Sequence, residues 1–278
     1  MSAIKRHTVD QADARWQCDA KQRVIDATRE PARTNADLLN QLMLNALGRA
    51  GSLVVAETAS AACHDLQLAT GAAHALFLAA SASSPVAVSI VSGVEGRYQP
   101  TGANSSAHAG NWRLGYFAAA ICRNRDVLDA LADTPVHILR QSSSRADECV
   151  YLFIEALQSL WKRQPDVGGK LAAALEATEP DRVAASGLDF VLNVLVPEIE
   201  LLVRFLEMSQ ATFNEALEFA LVRHKKYWSS GQRKLDPLGW VALGPLALAS
   251  FAFDAELSIA VESDYLPRDW YEGACAPA

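Results

Sequence analysis

The run from Leu238 to Phe253 constrains the fold more than any other stretch of this sequence. It carries no charge between Asp236 and Asp254, and it consists mostly of leucine, alanine, valine, tryptophan and phenylalanine. A helix that is apolar on every side has to be covered on every side. We therefore predict a central core helix here, with the preceding chain supplying the cover. A membrane span is the competing interpretation, but the run is short for one and both of its flanks are acidic.

Apolar residues at helical spacing predict helices along most of the chain. The clearest amphipathic helix is predicted over Arg145 to Arg163. Another helix opens at Ser186 and continues through Pro197, where we expect a kink. Its apolar faces include Leu188 and Leu192, so we expect it to be almost as buried as the core helix.

One strand is predicted in this otherwise helical chain. The β-branched residues from Val86 to Val91 indicate a strand, and Leu257 to Val261 is its expected partner. The predicted fold class is therefore mainly α, a multi-helix bundle with at most a small two-stranded sheet. We predict a single domain over residues 1–278, with about residues 1–30 and 269–278 loosely held.

The cysteines and the N-terminus predict a cytoplasmic protein. Cysteines are odd in number and widely scattered, and no Cys-x-x-Cys pair occurs among Cys18, Cys63, Cys122, Cys149 and Cys275. The N-terminus from Met1 to His7 lacks the apolar core of a signal sequence. Free thiols in a reducing cytosol fit both observations, and we expect no membrane partner.

Acidic residues are concentrated in one part of the chain. From Glu176 to Glu218 there are nine aspartates or glutamates and only two arginines, within a chain of net charge −7. Asp189, Glu200 and Glu207 share a narrow polar stripe of the helix that opens at Ser186. A solvated helix face is the simplest explanation of such a stripe, and a docking surface for a basic partner is the functional one. We predict these three carboxylates as partner-binding residues.

Two further groups of residues suggest other chemistry. Ser105, Ser106 and His108 offer a hydroxyl and a base, but the sequence supplies neither a nucleophile elbow nor an orienting carboxylate nearby. His64 and His74 are ten residues apart, which does not place them on one metal-binding turn. We therefore predict no catalytic residue, no cofactor and no metal site.

A basic segment with interleaved aromatics surrounds Tyr227 and Trp228. Its cations are Arg223, Lys225, Lys226, Arg233 and Lys234. Such a pattern can bind nucleic acid, but it also describes the solvated C-terminal end of a helix. The overall negative charge argues against general affinity for nucleic acid, so we expect no direct nucleic-acid partner.

Several segments, taken in their order, carry a family resemblance. They are Pro100 to Trp112, Ala118 to Arg123, Glu148 to Tyr151, Pro197 to Leu201, His224 to Trp228, Asp236 to Gly239 and Glu262 to Pro267. In this order the chain resembles the immunity protein 49 family of bacterial polymorphic toxin systems.

The resemblance implies a cytosolic, mainly helical protein whose partner is a cognate toxin effector domain. It implies no catalytic residues, and it fixes neither the chemistry of the toxin nor the oligomeric state. Two alternatives stay open at this point. One is a hydrolase that uses Ser106 and His108 to reverse a toxin's modification. The other is a helical scaffold or nucleic-acid-binding module that uses the segment near Trp228.

Overall fold

The computed structural model describes residues 3–56, 59–91 and 94–277. It is 67% helical, which confirms the mainly α fold class. The helices are α1 Gln11–Arg29, α2 Leu39–Val55, α3 Ala59–Ser81, α4 Ala109–Ile121, α5 Arg125–Asp133, α6 Val136–Arg140, α7 Glu148–Trp161, α8 Val167–Glu176, α9 Leu188–Phe190, α10 Val196–Leu206, α11 Gln210–Trp228, α12 Leu243–Asp254 and α13 Arg268–Tyr271.

A two-stranded antiparallel sheet accompanies the helices. The predicted strand is confirmed as β1 Val86–Val91, but its partner is β2 Val94–Tyr98. The predicted pairing with Leu257 to Val261 is wrong, and that segment has no regular structure. Two of its backbone groups are satisfied by a side chain, since the Asn214 amide donates to the Ser258 carbonyl (2.9 Å) and accepts from the N–H of residue 260 (2.7 Å). A nearby hairpin partner also costs less loop entropy than one about 160 residues away.

The uncharged run is buried as predicted, but its helix begins later than Leu238. Residues Pro237–Gly239 form a 3₁₀ turn, and α12 covers Leu243–Asp254. Pro245 lies in the first turn of α12, where an N–H would have no partner inside the helix. Residues Pro237–Asp254 have the length and mean hydropathy (1.3) of a membrane span, and 72% of them are buried inside the protein. That burial is typical of a core segment.

The helix α12 lies at the centre of the packing. It contacts α4, α10, α11 and α13, while α1, α2, α3 and β1 pack together alongside. Gly71 on α3 allows this second group to pack closely, because a Cβ there would lie 1.5 Å from the Ile90 carbonyl oxygen of β1. One hydrophobic cluster runs from Cys18 in α1 to Cys275 near the C-terminus.

The described ends of the chain, from Ile4 and up to Cys275, pack against this cluster, whereas loosely held ends were expected. The Ile4 N–H donates to the Glu262 carbonyl (2.9 Å), and the Asp264 N–H donates to the Ile4 carbonyl (3.1 Å). Helix α1 packs on α2, and Trp270 of α13 is buried. Trp16 of α1 is an exception among the large hydrophobic side chains, because it is exposed. The single-domain assignment stays a prediction.

Two of the cysteines are paired, which corrects the prediction of free thiols. Cys63 and Cys275 form a disulfide with their Cα atoms 4.8 Å apart, across a sequence separation of 212 residues. Cys18, Cys122 and Cys149 are free and buried. A pairing over such a distance has no local sequence signal, because only the folded chain brings the C-terminal segment to α3.

Candidate interaction surface

The helices α9, α10 and α11 build a helical hairpin whose outer face is unusually apolar. The hairpin turns at Glu207–Ser209, and α11 packs back against α10. Among the described residues, nine large hydrophobic side chains are exposed, and six of them lie on this hairpin. The six are Leu188, Leu192, Leu206, Met208, Phe219 and Val222. Clustering of this kind marks a candidate interaction surface.

A π-helical turn explains why the prediction for Leu188 and Leu192 is wrong. The helix continues without interruption from α9 through a π turn at Val191–Leu195 into α10, and no break occurs at Pro197. In an α-helix, the proline ring would clash with the carbonyl four residues back. Here the Val196 N–H donates to the Val191 carbonyl, five residues back, which widens the turn.

This wider turn changes which side chains face solvent. One additional residue in a turn shifts the helical phase by about 100°, so the faces before and after it no longer align. Leu188 is 39% exposed and Leu192 is 40% exposed, although their spacing assigned them to a buried face. π turns occur often at functional sites, and this one lies directly beneath exposed apolar side chains.

The three predicted partner-binding carboxylates are all exposed, but they do not form one cluster. Along the helix, Asp189 and Glu207 are about 27 Å apart, with Glu200 between them. The Asp189 carboxylate pairs with Arg233 (2.5 Å), and the Glu207 carboxylate pairs with Arg204 (2.6 Å). Glu200 makes no ion pair within the described parts of the chain, so its charge is the most available to a partner.

The polar stripe is interrupted by Asn193, which is buried. Its amide donates to the Asp189 carboxylate (2.8 Å) and its oxygen accepts from Arg223 of α11 (3.3 Å). The Arg223 guanidinium also lies 5.1 Å from the centre of the Phe219 ring. These contacts join the π turn to the middle of α11.

We call the exposed side chains of Leu192, Glu200, Glu215, Phe219 and Val222 the hairpin surface. Its apolar members, Leu192, Phe219 and Val222, are 40%, 41% and 49% exposed, respectively. Apolar anchors within a charged rim are the usual anatomy of a protein–protein interface. Sequence reasoning missed this patch, although Phe219 and Val222 do not follow the helical spacing of Phe213, Leu217 and Leu221, and that was the available signal.

The loop with Ser106 and His108 has a structural explanation. His108 is the N-cap of α4, and its Nδ1 atom accepts from the N–H groups of Gly110 (3.1 Å) and Asn111 (3.4 Å). Burial lowers the pKa of His108, which favours the neutral ring that this cap requires. A neutral ring with Nδ1 as acceptor carries its proton on Nε2, so it has no free lone pair to activate Ser106.

Several residues of the basic segment around Tyr227 and Trp228 make contacts within the fold. Arg233 stacks on the Tyr227 ring, 4.0 Å from its centre, while it pairs with Asp189. Trp228 packs against the backbone of Gly239, and the buried His224 ring lies 2.9 Å from the Gly239 carbonyl oxygen through Nε2. Burial lowers the pKa of His224 to about 4. Both aromatics are half-buried by these contacts, so their rings are less available for a base to stack on.

Within residues 3–56, 59–91 and 94–277, no group of three or more histidine, cysteine or acidic side chains has the arrangement of a metal site. His64 and His74 both lie on α3, and His74 is partly covered. Burial lowers the pKa of His74, as expected for a histidine within apolar surroundings.

Comparison with known families decides what kind of protein carries this surface. The profile of the family described as immunity protein 49 matches residues 53–270. The chain belongs to the immunity protein 49 family. The matched region contains the whole hairpin, α4 and α12, but it leaves out α1 and most of α2. Searches among curated proteins and among solved structures find no match.

Proposed function

We propose that this member of the immunity protein 49 family binds a cognate bacterial toxin domain and blocks it, which protects the producing cell. The family match over residues 53–270 carries this proposal. The family name implies a toxin as partner, and stoichiometric binding needs no catalytic residue. The use of His108 as a helix cap agrees with a binding function rather than hydrolysis.

The hairpin surface is the proposed docking site. It supplies apolar anchors in Leu192, Phe219 and Val222, and the chain around it is acidic from Glu176 to Glu218. A toxin that acts on an anionic target has a basic cleft, which carboxylates can block by occupying the place of the substrate's charge. A stable complex of this kind buries about 1,600 Å² in total.

An alanine substitution with a matched control tests the docking site. Phe219→Ala should weaken binding of the toxin domain encoded beside this protein by at least about 30-fold, as expected when an interface anchor is removed. Phe253 on α12 has nearly the same exposure, 40% against 41%, and Phe253→Ala should leave the affinity within about twofold. Titration calorimetry measures both. Equal affinities for the two variants would exclude the hairpin surface.

The carboxylates are tested separately through salt dependence. Because Asp189 and Glu207 already have arginine partners, Glu200→Gln alone should reproduce most of the effect of changing all three. The expected result is slower association and a weaker dependence on salt, measured by stopped flow at two ionic strengths. If the folded triple variant Asp189→Asn, Glu200→Gln, Glu207→Gln associates at the wild-type rate at both salts, these residues are not in the interface.

We also propose that the protein acts in the cytoplasm of the producing cell. The pair Cys63–Cys275 makes this testable, because disulfides persist in oxidising compartments and are rare in the cytosol. Trapping of thiols in intact cells should find both cysteines reduced if the protein resides there. Recovery of the oxidised pair from the periplasmic fraction would contradict the proposal.

A further inference from the structure

A cleft of about 800 Å³ lies where the N-terminal segment meets the end of α11. One wall consists of residues 6–10 and the first turns of α1, with Asp13 and Trp16. The other wall is formed by Lys225, Ser229 and Lys234. We call it the N-terminal cleft. Its volume falls within the range of about 300–1,000 Å³ that is usual for binding pockets.

The cleft is fixed in shape by contacts between its walls. The Arg6 Nε atom donates to the Trp240 carbonyl (2.8 Å), and the Trp240 indole donates to the Lys234 carbonyl (3.2 Å). His7 bridges the Tyr265 hydroxyl (2.6 Å) and the Lys234 carbonyl (3.1 Å) through its two ring nitrogens. A preformed cleft binds with a smaller loss of entropy than a mobile one.

The wall on α1 presents an aromatic ring beside a carboxylate. Trp16 is 62% exposed, which makes it the most exposed large hydrophobic side chain among the described residues. Asp13 precedes it by three positions, so both side chains lie on one face of the helix. Asp13 makes no ion pair within the described chain. An arginine can stack on an indole and donate to a carboxylate at the same time.

The opposite wall presents cations that also make no ion pair within the described chain. Lys225 and Lys234 face the cleft and are available to an acidic group. Val222, Lys225 and Ser229 follow the spacing i, i+3, i+7 and therefore lie along one side of α11. The cleft thus continues the hairpin surface, and Val222 and Ser229 are about 10 Å apart along the helix axis.

We propose that the N-terminal cleft binds a polypeptide segment of the toxin domain that presents an arginine near an acidic residue. The guanidinium stacks on Trp16 and pairs with Asp13, and the acidic side chain pairs with Lys225 or Lys234. The identity of the partner rests on the proposed function. Asp10 and Asp13 line the cleft together with Arg6, Lys225 and Lys234, so its charges suit a segment with both signs better than a polyanion.

The position of the cleft suggests a role in specificity. Its α1 wall lies outside the region matched by the family, whereas Lys225 and Lys234 lie within it. A site with one wall inside the matched region and one wall outside it can distinguish the cognate toxin from toxins that are blocked by other family members. Discrimination of this kind needs only a difference in affinity at a few side chains.

The chemistry is tested with labelled peptides and the full-length protein. A fluorescein-labelled Gly-Arg-Gly-Glu-Gly peptide should bind by fluorescence anisotropy, and replacement of its arginine by glutamine should weaken binding at least tenfold. Trp16→Ala and Asp13→Asn should each have the same effect, whereas Asp19→Asn, an exposed change on α1 outside the cleft, should have none. Asp13→Arg should in turn prefer the peptide with glutamate in place of arginine.

The toxin domain supplies the second arm of the test. The double variant Trp16→Ala, Asp13→Asn should weaken toxin binding at least tenfold. Unchanged binding would refute the N-terminal cleft as a toxin-binding site while leaving the proposed function in place. If wild-type protein fails to neutralise the toxin but still binds the arginine peptide, the proposed function is refuted, whereas the N-terminal cleft remains a peptide-binding site. Preferential binding of a single-stranded RNA oligonucleotide that depends on Lys225 and Lys234 would overturn the peptide assignment.

Discussion

The buried ion pair beneath the hairpin allows a quantitative test of what holds this surface in place. The Arg113 guanidinium on α4 donates to both carboxylate oxygens of Glu198 on α10 (2.8 and 3.0 Å), and these side chains are only 8% and 4% exposed. Arg113 also lies 5.3 Å from the centre of the Phe190 ring of α9. Gly244 makes room for the pair, because a Cβ there would lie 2.2 Å from the Glu198 carboxylate.

Removal of either partner should cost far more than removal of both. Arg113→Met or Glu198→Leu leaves one buried charge uncompensated, which should lower the free energy of unfolding by about 3–5 kcal/mol. The double variant buries no charge and should lie within about 2 kcal/mol of wild type. Urea denaturation followed by circular dichroism measures all four proteins. Single effects that simply add in the double variant would refute the reasoning.

The pH dependence of the Arg113→Met variant checks the same idea independently. Burial raises the pKa of Glu198 even with Arg113 beside it. A carboxyl whose folded-state pKa lies above its unfolded-state pKa contributes stability at low pH, and this contribution is lost as pH rises through the folded-state value. Without the arginine this loss should be steeper than in wild type. A variant whose stability rises over the same pH range would contradict the burial of Glu198.

Three further predictions concern stability, redox state and catalysis. The pKa of His224 is about 4 in the folded protein, against an ordinary 6.5. This difference should contribute about 3 kcal/mol of stability, which is present above pH 6.5 and lost as pH falls to 4. His224→Gln should flatten this part of the stability profile, and an unchanged profile would contradict the prediction. Reduction of Cys63–Cys275 should lower the free energy of unfolding by about 2–5 kcal/mol, because the bond closes a loop of more than 200 residues; five titratable thiols, instead of three, in protein that was purified and air-oxidised before unfolding would refute the pairing. Ser106→Ala with His108→Asn, which keeps a capping side chain, should leave neutralisation of the toxin intact; loss of protection with retained toxin binding would support the hydrolase alternative.

The sequence was sufficient to predict the elements that depend on a local pattern. The i, i+3, i+4 spacing placed a helix over Arg145 to Arg163, and α7 occupies Glu148–Trp161 within it. The absence of charge predicted the buried run, and β-branched residues predicted β1. Each of these signals lies within one element and does not depend on what packs against it.

The sequence was insufficient where distant residues decide the outcome. The segment expected to pair with β1 is bound instead by Asn214, which satisfies two of its backbone groups. The ion pair of Asp189 with Arg233 joins residues 44 positions apart. It compensates a negative charge that the helical spacing had assigned to partner binding. The exposure of Leu192 depends on a π turn, which shifts the helical phase that a spacing argument assumes to be constant.

The basic charges of α11 alone are weak support for binding, because helix stability explains them. Glu215 and Glu218 lie in the first half of the helix, and Lys225 and Lys226 lie in its last turn. The two lysines complement the helix dipole and would be favourable there without any partner, whereas the first turn contains no acidic residue. The buried apolar side chains of α11 are also explained by folding, because this helix packs against α10 and α12.

Neither reason applies to Phe219 and Val222, which gain nothing from the dipole and remain 41% and 49% exposed. Exposed apolar side chains at adjacent positions promote non-specific association, so a folded monomer has no use for them. The same argument applies to Trp16, which is even more exposed and lies beside the other end of α11. The apolar substitutions are therefore more decisive than the charge substitutions, since helix stability accounts for the lysines of α11 but not for the exposure of Phe219 and Val222.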